Sequence, residues 1–332
     1  MKKAGILLLS LLMLSSYCQK KDKDLYTIGI FQVNDAPTLN LVRKAFIETL
    51  KDKGLREGED VRLITKNAYG DIPEVQRIAQ EFVDNQVDMI VALSTPCLQS
   101  ALHVTSEIPV VFSSVANPYL AGAGKSAEDH LKNVTGVSSR GPIKETLNFI
   151  KKVLPKARRV GTLWTPSELN SKYYLELAQK KAEALNLEIL DVPIANSSQV
   201  LLFAQRLINK KVDVIFPISD NTINASFEAI SRVAEENNLP LFGGFLLSTQ
   251  LGACAALGWD FYEMGTKAGQ LAWRVKEGEN PGDIPFQYMH DVRLHINLKA
   301  AEKQGIQFSS EILDKADKVI GRETKPVKDT PE

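Results

Sequence analysis

Residues 88–99 read DMIVALSTPCLQ and predict a buried strand that runs directly into a helix. The apolar run at 89–93 is typical of a strand covered on both faces. Ser94 or Thr95 can cap the helix, and Pro96 stands in its first turn, where a missing N–H costs nothing. Free N–H groups and the positive end of the helix dipole then favour a small anion at this turn. An ordinary capped turn between strand and helix has the same pattern.

This pattern has a counterpart in the second half of the chain. Three pairs of strand ends recur in the same order and at nearly the same spacing: VDMIVALSTP (87–96) with VDVIFPISDNT (212–222), IGIFQ (28–32) with VGTLW (160–164), and IPVVF (108–112) with LPLF (239–242). The spacing is far longer than the roughly 20–50 residues of a solenoid repeat. We therefore predict two similar lobes that arose by duplication.

Length and composition support two soluble domains. A chain of 332 residues exceeds one comfortable hydrophobic core, and 44% of its residues are hydrophobic while 24% are charged. Lys plus Arg equals Asp plus Glu, at 40 each, so the net charge does not favour binding to nucleic acid or to an acidic membrane. The four histidines have no metal-ligand spacing among themselves or with cysteine. We predict no metal, no cofactor and no nucleic-acid partner.

The first 24 residues read as a targeting segment. Two lysines precede a short apolar run at 6–14, which is too short to span a membrane. LSSYC resembles a lipobox in which lipidated Cys18 becomes the mature N-terminus, although Tyr17 replaces the usual small residue and leaves plain signal-peptidase cleavage open. QKKDKD at 19–24 reads as a flexible tether. We expect an exported protein at the periplasm or cell surface, with a lipid anchor as its sole membrane attachment.

Strands and helices alternate along the mature chain, which predicts two doubly wound lobes with parallel sheets. The short strand GACAALG and the helix after it exceed one repeat, and we expect them to return to the first lobe. The first lobe is then 25–138 plus 250–284, and the second is 139–249 plus 285–321. The lobes are joined by three crossings that form a multi-strand hinge, and 322–332 is a polar tail. Cys97 and Cys254 read as buried free cysteines rather than a disulfide.

Seven segments give the chain a more specific likeness. They are VRKAFIETLKDKGLREGEDV (42–61), DMIVALSTP (88–96), IPVVFSSVANPYLAG (108–122), NVTGVS (133–138), LWTPSELNS (163–171), PISDNT (217–222) and GWDFYEMG (258–265). Together they resemble the tryptophan/tyrosine-type substrate-binding proteins of ABC transporters, which have the bilobal type I periplasmic-binding-protein fold. Two departures lie in the first cleft loop. NDAP (34–37) stands where this family tends to carry a histidine before the proline, and Asn40 stands where an aspartate is common. Both leave the identity of the ligand open.

The polar residues that follow the strands are the candidate ligand contacts, because such strand ends face the crevice between two lobes. The first lobe and then the second contribute Gln32, Asn34, Ser94, Thr95, Ser113, Ser114, Asn117, Ser167, Glu168, Asn170, Asp220 and Asn221, with Trp164 beside them and Asp260 on the return segment.

The resemblance implies a small ligand in this cleft, and the residues favour a zwitterion. Its carboxylate would bind at Ser94 and Thr95 with the hydroxyl of Ser113 or Ser114, and its ammonium would face Asp220.

An aromatic wall would come from Phe31, Phe112 and Trp164. Structural alternatives remain open: Asp220 and Asp260 can be helix caps, and Trp164 can be a core residue.

The function that the resemblance implies is capture of an amino acid, with aromatic ones favoured, by closure of the lobes, followed by delivery to an ABC permease. An enzyme is disfavoured, because the chain has no G-x-S-x-G elbow, Walker loop or metal-spaced set. A tethered sensor domain for a membrane signalling partner stays open, as does a nucleoside or sugar ligand.

Overall fold

The computed structural model describes residues 25–321. The predicted signal peptide and tether, with Cys18, and the tail at 322–332 lie outside the described residues. In residues 25–321 no helix is both long enough and apolar enough to cross a membrane.

The chain alternates between strands and helices along most of its length. The strands are β1 (Tyr26–Gln32), β2 (Val61–Asn67), β3 (Met89–Leu93), β4 (Val110–Val115), β5 (Val134–Ser138), β6 (Arg159–Trp164), β7 (Glu188–Pro193), β8 (Val214–Ile215), β9 (Phe242–Gly243), β10 (Ala255–Gly258), β11 (Gln287–Tyr288), β12 (Arg293–Asn297) and β13 (Lys318–Ile320).

The helices follow the apolar periodicity of the sequence, as in the stripe Val75, Ile78 and Phe82. They are α1 (Pro37–Asp52), α2 (Ile72–Asp84), α3 (Thr95–Val104), α4 (Ile143–Val153), α5 (Leu169–Glu183), α6 (Val200–Asn209), α7 (Asn221–Asn224), α8 (Phe227–Glu236), α9 (Phe261–Lys276), α10 (Leu298–Lys303) and α11 (Ser310–Asp314).

The first lobe is built on a parallel sheet with the strand order β11-β5-β4-β3-β1-β2. All five residues of β3 are buried, as the apolar run predicted. Met89, Val91 and Leu93 face the layer of α1 and α9, while Ile90 and Ala92 face the layer of α2 and α3. Helices on both faces make this lobe doubly wound.

The second lobe has two short sheets with the orders β7-β6-β8 and β13-β12-β10-β9. A parallel bridge between Ile215 and Leu241 joins them into one layer. The pairs are parallel except for β10 with β12, which is antiparallel. The chain is therefore an α/β protein of two sheet-centred lobes, in agreement with the predicted fold class.

The strand β10 corrects one expectation from the sequence. It pairs with β9 and β12 in the second lobe, not with the first sheet, and only α9 returns to pack on α1. The sequence misled because a short apolar strand fits the centre of either sheet equally well. Likewise, β11 pairs with β5 in the first lobe, although 285–321 had been assigned wholly to the second. The three crossings therefore lie between β5 and α4, between β10 and α9, and between β11 and β12.

Two glycines explain how α9 docks on the first lobe. A Cβ atom at Gly269 would lie 2.7 Å from the Cβ of Thr49, and one at Gly265 would lie 2.8 Å from the Cβ of Ala45. Glycine at both positions lets α9 approach α1 more closely than any larger side chain permits. The packing of α9 on α1 therefore holds the second crossing against the first lobe.

Candidate functional site

The two rims of polar residues face each other and are in contact. Asn34 follows β1 in the first lobe, and its Nδ2 donates a hydrogen bond of 2.8 Å to the carbonyl oxygen of Asn221 in the second. Its Oδ1 accepts from the backbone N–H of Ala36, which fixes the amide in this direction. The lobes are therefore closed against each other at this point.

A small cavity of about 20 Å³ lies between the closed lobes. Such a volume is roughly that of one water molecule. Its lining comprises Thr38, Leu39, Ser114 and Ala116 from the first lobe, Asn170, Tyr174, Ser219, Asp220, Asn221 and Asn224 from the second, and Ser139 and Phe261 at two of the crossings. Four of the candidate residues from the sequence meet here: Ser114, Asn170, Asp220 and Asn221.

Ser114 reaches the cavity because β4 is irregular at this residue. The pairing of β4 with β5 shifts register between Ser113 and Val115, and Ser114 has a positive φ of 58°. A bulge of this kind turns one side chain away from the alternation of the strand. The Ser114 hydroxyl donates only a weak hydrogen bond, 3.7 Å long, to the sulfur of Met264.

Asp220 combines a capping role with a place in the cavity wall. Its Oδ1 accepts from the backbone N–H of Ile223 at 2.8 Å, and its Oδ2 accepts from the N–H of Thr165 at 3.0 Å. Burial, followed by the nearby negative charge of Glu168, raises the pKa of Asp220 to about 7. The carboxyl group therefore changes protonation near neutral pH, where a cationic partner would hold it ionised.

Glu168 is buried but is occupied within its own lobe. Its Oε1 accepts from the N–H and the hydroxyl of Thr222, and its Oε2 accepts from Asn221 and from the side chain of Asn170. Glu168 thereby accepts hydrogen bonds from the first two residues of α7, Asn221 and Thr222. Glu168 is also the residue before α5, while its neighbour Ser167, a candidate contact from the sequence, is exposed and does not line the cavity.

Asn170 carries an unused acceptor. Its Nδ2 donates to Glu168 at 3.0 Å, which directs Oδ1 the other way. That oxygen is buried and has no hydrogen-bond partner among residues 25–321. A buried acceptor without a donor costs free energy, so Oδ1 is a ready site for an N–H group of a ligand.

The aromatic rings of the cavity are not those that the sequence suggested. Tyr174 and Phe261 line it. The hydroxyl of Tyr174 donates to the carbonyl of Ser139 at 2.9 Å and accepts from the N–H of Gly141 at 2.9 Å, so it clamps the first crossing. Burial raises the pKa of Tyr174 well above its usual value, which keeps the hydroxyl protonated.

The three aromatic residues proposed from the sequence lie in the lobe interiors. Phe31 packs edge-on against Phe82, and Phe112 packs against Phe286. Trp164 donates from its indole N–H to Asp191 at 2.7 Å and packs on the second-lobe core, the structural alternative left open for it. None of the three lines the cavity, because Phe31 and Phe112 pack in the first-lobe core and Trp164 packs against that of the second lobe.

The turn at Ser94 and Thr95 forms the predicted helix cap but does not line the cavity. Ser94 Oγ accepts from the N–H of Cys97 at 3.4 Å, and Thr95 Oγ1 accepts from the N–H of Ala116 at 3.4 Å. The neighbouring Ser113 hydroxyl is buried, with no hydrogen-bond partner in the part of the chain described. With the lobes closed, the hydroxyls of Ser94 and Thr95 accept hydrogen bonds from backbone N–H groups of the first lobe.

The cysteines behave as the sequence indicated. Cys97 and Cys254 are buried and free. Burial raises the pKa of each thiol to about 12, and the charge of Glu168 adds to the effect at Cys97. Both thiols therefore stay protonated and unreactive.

Gln32 and Asn117 hold loops of the first lobe. Gln32 donates to the carbonyl of Asn34 and to Asn40, and it accepts from Arg43 at 2.7 Å. It therefore braces the loop that presents Asn34. Asn117 accepts from two backbone N–H groups of the turn that follows it.

Asp260 lies at the second crossing rather than in the cavity. Its Oδ1 caps α9 by accepting from the N–H groups of Tyr262 and Glu263, the structural alternative left open for it. Its Oδ2 pairs with Arg293 at 3.0 Å. Because Arg293 begins β12, this ion pair ties the second crossing to the third.

Several residues that line the cavity were not predicted from the sequence. Ser139 and Ser219 follow β5 and β8, so the rule of polar residues after strands would have found them. Thr38 and Leu39 lie in the first turn of α1, and Tyr174 lies inside α5. Nothing in the apolar pattern separates these helix residues from core positions.

Comparison with known proteins agrees with this architecture. The family model for ABC transporter substrate binding proteins matches residues 27–320. The chain belongs to this family. It is 37% identical, over 86% of its length and 82% of the relative's, to a tyrosine-binding protein of Clostridioides difficile strain R20291. Members of the family bind ligands and are not enzymes, and membership implies a small-molecule ligand and a permease partner.

Two solved structures are similar to the chain at nearly equal identity. The ABC domain from Streptococcus pneumonia in complex with L-Trp is 26% identical, covers 89% of this chain and all of its own, and superposes with a TM-score of 0.85. The ligand-free, open structure of a substrate-binding protein with adhesive properties from Clostridium difficile is 29% identical, with 89% and 99% coverage and a TM-score of 0.65. The chain is closer in shape to the ligand-bound relative.

Proposed function

We propose that this protein captures an aromatic amino acid between its lobes and presents it to the permease of an ABC importer. The observation that carries the proposal is the cavity itself, which both lobes and two crossings line with hydrogen-bonding groups and aromatic rings. Tyrosine and tryptophan are favoured because relatives in the family bind them.

The polar groups of the cavity suit the two charges of an amino acid. The carboxylate of Asp220 and the unused Oδ1 of Asn170 are acceptors for the ammonium group. The hydroxyls of Thr38 and Ser114 are donors for the carboxylate. These donors come from the first lobe and the acceptors from the second, so one zwitterion bridges the two lobes.

The aromatic side chain has its own environment in the same cavity. Tyr174 and Phe261 offer ring surfaces, and Leu39 adds an aliphatic one. Aromatic pairs contribute about 0.5–1.5 kcal/mol beyond the area that they bury. This wall favours an aromatic amino acid over an aliphatic one.

Entry of the ligand requires that the lobes separate. The closed cavity of about 20 Å³ is far smaller than any amino acid. At similar identity and coverage, the TM-score is 0.85 to the ligand-bound relative and 0.65 to the ligand-free, open one. Rotation of two rigid lobes about the crossings produces a difference of this kind, which supports hinge closure as the mechanism.

Export and anchoring complete the proposed role. Substrate-binding proteins of importers work outside the cytoplasm, which fits the targeting segment that the sequence predicts at 1–24. Lipidation at Cys18 would keep the binding lobes beside the permease, with the charged residues at 19–24 as a tether.

Calorimetric titration with matched ligands tests the proposal. We expect L-tyrosine, L-tryptophan or L-phenylalanine to bind with a Kd in the micromolar range or below. Tyramine lacks the carboxylate, and 3-(4-hydroxyphenyl)propionate lacks the ammonium, so each should bind at least about tenfold more weakly than L-tyrosine. Binding only of nucleosides or sugars would contradict the amino-acid assignment and leave the binding role intact.

A further inference from the structure

A second and much larger cavity lies at the hinge. Its volume is about 730 Å³, and residues of all three crossings line it, at 140–142, at Trp259 and at 288–290 with Val292. The start of α4 and one face of α5 complete the walls. The hinge cavity shares no lining residue with the cavity between the lobes.

The body of the hinge cavity is apolar. Trp259, Leu177 and Met289 contribute to its walls, and Trp259 is held in place by a hydrogen bond of 3.0 Å from its indole N–H to the carbonyl of Arg140. Small-molecule sites are typically of about 300–1,000 Å³ with mainly apolar and aromatic walls and a few polar groups. The hinge cavity has that size and that character.

Its rim carries an excess of positive charge. Arg140, Lys144, Lys180 and Lys181 line the cavity, and Glu145 is the one acidic residue in its lining. None of the four cations has an ion-pair partner within 4.0 Å among residues 25–321, whereas Arg293, at the third crossing, is paired with Asp260. Four unneutralised cations around an apolar cavity attract an anion that brings apolar surface with it.

We propose that the hinge cavity binds an organic anion that has a flat apolar body and a single carboxylate, sulfonate or phosphate group. The body packs on Trp259 and Leu177, and the charged group lies at the rim between Lys180, Lys181 and Arg140. An occupant touches every crossing between the lobes, so it sits on the hinge itself.

Fluorescence titration of the purified protein with 8-anilinonaphthalene-1-sulfonate tests this site. The dye joins an aromatic body to one sulfonate, and N-phenyl-1-naphthylamine has the same rings without the charge. We expect one bound sulfonate dye per chain and at least about tenfold weaker binding of the uncharged dye.

Two double variants decide whether the dye lies in the hinge cavity. Lys180→Gln with Lys181→Gln should weaken binding of the sulfonate dye about tenfold. Lys210→Gln with Lys211→Gln removes two adjacent exposed lysines elsewhere on the same lobe and should leave it unchanged. Equal affinity of all three proteins for the dye would overturn the proposal, as would equal binding of the two dyes.

The outcome is separable from that of the proposed function. A dye bound between the lobes would be displaced by saturating L-tyrosine, and that result would also overturn the hinge site. If the protein does not bind tyrosine at all, the lysine variants still decide the question, because they lie outside the interlobe cavity. Circular dichroism of each variant confirms that it is folded.

Discussion

Replacement of Asp220 by asparagine tests how the protein would recognise an ammonium group. Asparagine keeps the size of the side chain and, through its Oδ1, the cap on the N–H of Ile223, while it removes the negative charge and places a donor NH2 group opposite the N–H of Thr165. Hydrogen bonds to charged groups contribute about 1.5–3 kcal/mol, against about 0.5–1.5 kcal/mol for neutral ones. The difference of about 1.5 kcal/mol predicts that Asp220→Asn binds L-tyrosine about tenfold more weakly at pH 8.

The raised pKa adds a dependence on pH to this prediction. Asp220 has a pKa of about 7, because it is buried beside Glu168. Only the ionised form pairs with an ammonium group, so affinity for L-tyrosine should fall about tenfold between pH 8 and pH 6. Near pH 7 the wild-type protein should release about half a proton on binding. The affinity of Asp220→Asn should be flat over the same range.

Calorimetric titration in two buffers with different ionisation enthalpies measures both the affinity and the released protons. Asp213→Asn is the matched control, because Asp213 also accepts from backbone N–H groups of the second lobe but lies outside the cavity. Asp220 does not pair with the ammonium group if wild-type affinity is the same at pH 6 and pH 8, or if Asp220→Asn and Asp213→Asn bind L-tyrosine equally well.

Four further outcomes are expected. The contribution of Asp220 to the stability of the ligand-free protein should fall as pH rises from about 4 through about 7, by at most about 4 kcal/mol, because its raised pKa penalises the ionised form in the fold; urea unfolding of wild type and Asp220→Asn across this range measures the difference. Gly265→Ala should reduce the free energy of unfolding by about 1–3 kcal/mol through overpacking of α9 on α1, with Gly244→Ala as the control, because a Cβ atom there would lie no closer than 3.6 Å to its neighbours. Asn34→Ala should weaken ligand binding by about two- to tenfold, because it removes the interlobe hydrogen bond to the carbonyl of Asn221, and it should also lower the Tm, because the buried N–H of Ala36 loses its acceptor. Tyr174→Phe should destabilise the protein by about 1–3 kcal/mol in chemical unfolding, because the buried backbone groups at the first crossing, including the carbonyl of Ser139, lose their partner; an unchanged stability would contradict that role.

The central strand shows what local sequence can predict. The run at 89–93 is apolar throughout, and the structure buries all five residues between two helical layers. Ser94 caps the next helix as expected, since a cap depends only on residues within one turn. Local patterns therefore predicted the elements and the fold class.

The strand β10 shows where such prediction stops. GACAALG reads as a buried strand, but its partners β9 and β12 are set by packing between distant segments. The short apolar sequence carries no mark of the sheet to which it belongs. Long-range pairing must be known before such a strand can be assigned to a lobe.

The residues of the candidate site were likewise predicted from the sequence only in part. The rule that polar residues follow strands found Asp220 and Ser114, and both line the cavity. It also selected Asp260 and Asn117, which cap a helix and a turn, because a cap and a ligand contact use the same residue types. Tyr174 was missed, because a buried tyrosine inside a helix resembles any core position.

A distance measured between the lobes shows whether they close around an aromatic amino acid. Spin labels on cysteines introduced at Tyr69 in the first lobe and Leu202 in the second are suitable, because both positions are exposed and the native Cys97 and Cys254 are buried. Electron–electron double resonance should show a broad or long distance distribution without ligand, and a shorter, narrower one with saturating L-tyrosine. Galactose should leave the distribution unchanged. An identical distribution with and without L-tyrosine, L-tryptophan and L-phenylalanine would show that the lobes do not close on these ligands.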